Sequence, residues 1–160
     1  MADSMTLIES KLIASDVTTV DFTSLPTTYS HLRLYGSKVT TSNYGIYMRF
    51  NDQSFSGAYN VNYMYASLSG SLTASQSGNT TALYIGDTFG SQNGCPLDVL
   101  IPYYRSGYWK PILFRSAEED SWYGGGGYWG NTGYITKISL ESANTNGIKV
   151  GSLFALYGIE

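Results

Sequence analysis

The closing stretch Gly147-Ile-Lys-Val-Gly-Ser-Leu-Phe-Ala-Leu-Tyr-Gly-Ile-Glu160 decides how the rest of the chain is read. It holds no proline, and from Leu153 to Ile159 both alternating sets are apolar: Phe154 and Leu156 on one side, Leu153, Ala155, Tyr157 and Ile159 on the other. A strand with one face in water alternates apolar with polar residues, so this one is predicted to be covered on both faces. Phe154 and Leu156 are assigned to the core together with Ile148 and Val150, which share their parity. That leaves Leu153, Ala155, Tyr157 and Ile159 without an obvious partner in the chain, to be covered by the second sheet's edge, the N-terminal segment or a neighbouring subunit; Leu153, Tyr157 and Ile159 are the candidate subunit interface.

Working back from this strand, Asn144-Thr-Asn-Gly147 is a strong turn signal, with Asn-Gly suited to the positive φ of a tight hairpin. Tyr134 to Glu141 before it is amphipathic, with Ile138 and Leu140 on one face and Lys137, Ser139 and Glu141 on the other. The closing strand is therefore expected to pair antiparallel with it.

The same period of two recurs upstream. Thr6 to Ala14 and Val17 to Phe22 form two runs about Ser15-Asp16, a hairpin or a corner. Pro26 breaks the ladder. Leu32 and Leu34 then oppose His31, Arg33 and Tyr35; Tyr44, Ile46, Met48 and Phe50 oppose Gly45, Tyr47 and Arg49; and Tyr59, Val61, Tyr63 and Tyr65 give one face almost wholly to tyrosine. Gly70 to Asn79 is read as a polar loop of low complexity. Thr80 to Gly86 is a short strand, and Leu97, Val99, Ile101 and Tyr103 share a side until Pro102 ends the run. Ile112 and Phe114 point inward with Leu113 and Arg115 outward, and Ser116 to Gly133 is read as a long glycine and aromatic loop.

With 160 residues, 15 tyrosines and 18 glycines, and few strong helix formers, the composition is that of a β protein. The expected fold is all-β, an antiparallel β-sandwich of jelly-roll type with about 8–10 strands, in a single domain over residues 1–160 whose first five residues could form a flexible arm. One cysteine, Cys95, excludes an internal disulfide and fits a reducing compartment. A net charge of -3 with scattered Lys and Arg argues against a nucleic-acid partner. No apolar run reaches the ~20 residues of a membrane span, and the acidic Met1 to Ser10 does not resemble a signal peptide.

Two segments carry a family resemblance. Leu12-Ile-Ala-Ser15, Val20-Asp-Phe-Thr-Ser-Leu-Pro-Thr-Thr-Tyr29 and Ser30-His-Leu-Arg-Leu34 resemble the start, and Gly151-Ser-Leu-Phe-Ala-Leu-Tyr-Gly-Ile159 the end, of virion structural proteins of tailed bacteriophages, common in cyanophages and phages of other aquatic bacteria. The resemblance covers about the first 35 and last 25 residues; the middle shares only composition. It implies a β-sandwich on a phage particle, either a capsid decoration (cement) protein or part of a tail fibre or spike, with the major capsid protein and further copies of itself as partners. A homotrimer located in the virion and assembled in the host cytoplasm is the expectation. No functional residue is carried over, because the resembling segments are strands.

The chemistry searched for on the residues themselves is sparse. Glu118-Glu119-Asp120 beside Trp109, Trp122, Tyr123, Tyr128 and Trp129 has the composition of a glycosidase site, but its spacing does not place two carboxylates across a sugar, and three adjacent acids in a loop read as solvated charge. The five aromatics with Gly124 to Gly127 form instead a candidate contact for a partner or a host glycan. No metal or cofactor motif is present, His31 reads as a polar residue on an outer strand face, and no enzyme activity is expected.

Overall fold

The computed structural model describes residues 4–39, 45–86, 95–118 and 121–160. They form twelve strands: β1 (Met5–Leu12), β2 (Thr19–Thr23), β3 (His31–Val39), β4 (Ile46–Phe50), β5 (Tyr59–Ser67), β6 (Leu72–Thr80), β7 (Leu83–Gly86), β8 (Cys95–Ile101), β9 (Lys110–Ala117), β10 (Ser121–Trp129), β11 (Lys137–Ser142) and β12 (Leu153–Ile159). An eight-stranded sheet in the order β1-β12-β3-β8-β9-β10-β5-β6 faces a four-stranded sheet in the order β2-β11-β4-β7. Every pairing is antiparallel. The fold is an all-β antiparallel sandwich of jelly-roll type.

Strict alternation builds the core. The large sheet turns Leu32, Leu34, Val99, Ile101, Ile112, Phe114, Phe154 and Leu156 inward, and the small sheet answers with Val20, Phe22, Met48, Phe50, Leu83, Ile138 and Leu140. Burying one such side chain stabilises by about 1.5–3 kcal/mol. Phe154 and Leu156 therefore lie where the sequence places them; Val150 is 60% exposed and does not share their burial.

The strand count exceeds the expected 8–10 because two segments read as loops are strands. β6 is polar apart from an exposed Leu72 and Ala74, yet it is an edge strand held by main-chain pairing to β5, a position that needs no apolar face. β10 carries Gly124-Gly-Gly-Gly127 in its middle and runs between β9 and β5. A side chain at Gly125 or Gly127 would stand 2.3 Å from the Asn62 carbonyl oxygen or 2.2 Å from that of Asn60, so only glycine fits that close approach to β5. Their missing side chains admit Leu83 and Tyr63, and Tyr63 packs on Tyr84 of the opposite sheet at 4.9 Å between ring centroids.

The pairing of the closing strand also departs from expectation. β12 lies between β1 and β3, whereas β11 belongs to the small sheet between β2 and β4. The Asn144 to Gly147 turn is thus a corner that carries the chain between sheets, with Asn146 rather than Gly147 at positive φ. The chain from β1 to β2 crosses beside it, joined by the reciprocal Val17–Ile148 bridge and by bonds between Ile13 and the 151–152 backbone. Two antiparallel crossings satisfy each other's backbone groups, which a hairpin would have satisfied alone. Tyr44, Glu119 and Asp120 lie outside the described residues.

Candidate functional site on the outer face of the large sheet

The outer face of the eight-stranded sheet is covered by no other element among the described residues, and its residues fall into rows by register. Tyr35 of β3 stands opposite Asp98 of β8, Asp98 opposite Arg115 of β9, Arg115 opposite Gly124 of β10, and Gly124 opposite Met64 of β5. Arg33, one step along β3, completes a charged ladder. Its Nε donates to Asp98 Oδ1 at 2.8 Å and its Nη2 to Oδ2 at 2.8 Å, while Arg115 reaches Oδ2 through Nε at 2.9 Å and Nη2 at 2.8 Å. The hydrogen bonds from Arg33, with Arg115 contributing, hold the Asp98 carboxyl below its ordinary value. The same bonds push the Arg33 guanidinium above its own. Asp98 is 14% exposed and Arg115 66%, so the ladder runs from a half-buried anchor to a solvent-facing cation.

Beside this ladder the alternation of β10 sorts the candidate aromatics. Trp129 and Tyr123 point inward with Gly125 and Gly127; Trp129 is 1% exposed, donates from Nε1 to Gln53 Oε1, and packs on Phe50. Tyr123 stacks on Tyr65 at 5.7 Å. These two are core residues, and the assignment of both to a surface contact is corrected. Trp122 and Tyr128 point outward with Gly124 and Gly126, six residues apart and hence roughly 20 Å along the strand. Trp109, at the end of the connection from β8 to β9, stacks on Tyr128 with centroids 5.0 Å apart and planes at 13°. The single loop expected from sequence is thus two separate aromatic sites, at opposite ends of a strand.

At the first end, the six-membered ring of the Trp122 indole fills the space above Gly124, 2.2 Å from where a Cβ would stand. A cleft of about 310 Å³ opens there, lined by Tyr35, Pro96, Asp98, Arg115, Ala117 and Trp122 among others. A second hollow of about 490 Å³ lies over Gly124, Asn62, Met64 and Gln76. At the other end, Lys110 is fully buried and donates to the carbonyls of Ser106, Tyr108 and Asn131. Burial pushes its ammonium below the ordinary value, and its three bonds tie down the loop that presents Trp109.

The far margin of the same face is apolar. Met5, Leu7 and Leu12 of β1 are 42%, 51% and 69% exposed, and Leu7 and Leu12 stand opposite Tyr157 and Leu153. Tyr157 and Leu153 are half-buried, with Tyr157 against the edge of Tyr35. Ile159 is 9% exposed, and its assignment to an interface is corrected: the chain itself covers it. Arg33, Asp98, Tyr35, Leu7 and Leu12 were not among the sequence candidates; the outward parity of the first three was readable, whereas Leu7 and Leu12 share a face only through the register shift between Leu7 and Glu9.

Glu118 accepts from the Tyr123 hydroxyl at 3.4 Å, on the inner side of the hairpin. Among the described residues no three His, Cys, Asp or Glu side chains gather as a metal site. Cys95 is buried. His31 accepts from the Tyr103 amide at Nδ1, an ordinary structural use.

No family model and no curated protein matches the chain. Among solved structures it is similar to CG-16, a homodimeric agglutinin from chicken liver, with a TM-score of 0.40 and 10% identity over 85% of this chain and 98% of that one. It is similar to a toad ovary galectin in complex with thio-digalactose, with a TM-score of 0.37 and 13% identity over 86% and 98%. A protein of unknown function from Shewanella oneidensis MR-1 scores 0.22 at 8% identity over 97% and 75%. At these scores and identities the likeness carries no argument about what this chain binds.

Proposed function

We propose that the chain is a non-enzymatic structural protein of a bacteriophage particle, a capsid decoration protein that assembles as a homotrimer and clamps adjacent major capsid subunits. The observation that supports this reading is the apolar margin of the outer face, where Met5, Leu7 and Leu12 are exposed beside Leu153 and Tyr157. Exposed apolar groups gathered on one margin are the mark of an interaction surface rather than of scattered surface residues. Added interface across capsomer junctions would strengthen a shell against packed DNA. Copy number in purified particles tests the assignment: hundreds per virion support decoration, and a few dozen or fewer remove it.

A second reading, a tail-fibre or spike domain that binds a host glycan, is favoured by one observation: Trp109 and Trp122 remain 57% and 45% exposed on a folded sheet. Binding of the purified protein to host lipopolysaccharide, lost on replacing an exposed tryptophan, supports it; no binding removes it.

A further inference from the structure

We infer that the cleft between Trp122 and the Arg115–Asp98 pair is a seat for a pyranose ring, whose C–H face lies on the indole while its oxygens meet the guanidinium. The inference rests on the glycan-binding reading and gives that reading a site.

Three features fit this ligand. First, the Trp122 ring is laid over Gly124, whose lack of a side chain makes the room, and the indole remains 45% exposed. An aromatic platform already in place loses little freedom when a ring stacks on it. Second, Arg115 is oriented by Asp98 through Nε and Nη2, and its Nη1 makes no hydrogen bond among the described residues. Two N–H donors are thereby aimed outward from a fixed fork. Third, Asp98 Oδ1 takes one hydrogen bond, from Arg33 Nε, and retains accepting capacity in a side chain that lines the same cleft as Arg115.

Donors and an acceptor lining one cleft suit hydroxyl groups, each of which both gives and takes a hydrogen bond. A phosphate, which only accepts at full charge, would face the Asp98 carboxylate. The cleft, at about 310 Å³, is at the lower end of small-ligand sites and holds a one- or two-ring sugar rather than a protein segment. The Trp109–Tyr128 pair keeps a second, exposed face of Trp109 but has no paired carboxylate and guanidinium described beside it, and the variants below tell the two places apart.

The three indole N–H signals of the chain give the test. Uniformly ¹⁵N-labelled protein is titrated with glucose, galactose, mannose, N-acetylglucosamine, glucuronic acid and N-acetylneuraminic acid, and the indole signals are followed together with the backbone amides of Asp98, Arg115 and Gly124, which still report binding when Trp122 is replaced. We expect at least one sugar to move the Trp122 signal saturably while that of Trp129, bonded to Gln53, stays fixed. Trp122→Ala and Arg115→Ala should each weaken that sugar by ~10-fold or more. Gly124→Ala should do the same with the tryptophan still present, since the added methyl evicts the ring from its seat, and Trp109→Ala should change nothing. An unmoved Trp129 signal shows that each variant is folded. A sugar that binds by moving Trp109 alone, or that Trp122→Ala leaves unaffected, overturns this seat and leaves the glycan reading standing. No shift with any of the six sugars, together with no lipopolysaccharide binding, overturns both.

Discussion

The two faces of β10 use the same residue for opposite ends. On the inner face Gly125 and Gly127 are required by the backbone of β5, which passes within 2.3 Å of any Cβ placed there. On the outer face Gly124 meets only the far end of the Trp122 ring, and Gly126 meets the Ile112 carbonyl and the Leu113 side chain, both at 3.1 Å. The inner glycines close the sandwich; the outer ones leave a furrow on its surface. A run of four glycines thus contains two structural requirements and two surface vacancies, told apart only by parity.

The largest effect should come from the inner side. Gly125→Ala forces a methyl into main-chain atoms that cannot yield, and overpacking of this kind costs about 2–3 kcal/mol. A drop in the urea midpoint checks it, and an unchanged midpoint would erase the distinction between the faces. Next is Tyr59→Phe, opposite Trp129 in register, which removes the hydroxyl that serves the Phe50 amide and accepts at 2.8 Å. An unserved buried amide costs roughly 1–2 kcal/mol. Burial pushes the Tyr59 phenol up to about 12. A raised folded value gives a contribution complete below the unfolded value near pH 10 and lost as pH rises toward about 12, so alkaline unfolding of the wild type should fall in that window and lose this component in the variant.

On the outer face the effects should be smaller. Asp98→Asn leaves two guanidinium groups without their carboxylate, and the cost is about 1 kcal/mol at pH 7 because Arg115 is largely in solvent. The Asp98 carboxyl is held below its ordinary value, so its contribution is full above the unfolded value near pH 4 and disappears as pH falls through the lower folded value. Denaturation at pH 7 and again near pH 2 should show the difference shrinking. Gly124→Ala should move the midpoint least, within about 0.5 kcal/mol, because the displaced ring is mobile and alanine restrains the unfolded chain. Its mark should be a tryptophan emission shift from the evicted indole.

Most strands were legible because their residues alternate. Leu32 and Leu34, Ile112 and Phe114, and Phe154 and Leu156 all lie on the faces their parity assigned. β10 was not legible, since a glycine has no side chain to show which face it occupies. β6 was not, since an edge strand can be polar on both sides. The strand order was hidden for a different reason: the corners at 13–18 and 143–152 join segments more than 100 residues apart, and no local signal distinguishes a corner from a hairpin. The site inherits both difficulties. Arg33, Asp98 and Arg115 come from three strands, and only their order in the sheet brings them together. Trp122 and Trp129 differ in role by one step of parity, visible once the glycines are known to be extended.

Lys110 has one more consequence. Its amine is sealed by three carbonyls beneath the Trp129 ring, while Lys11, Lys137 and Lys149 keep part of their surface in water. An amine-reactive reagent should mark those three at once and reach Lys110 only when the sandwich opens, which makes that single lysine an internal clock for the lifetime of the folded chain.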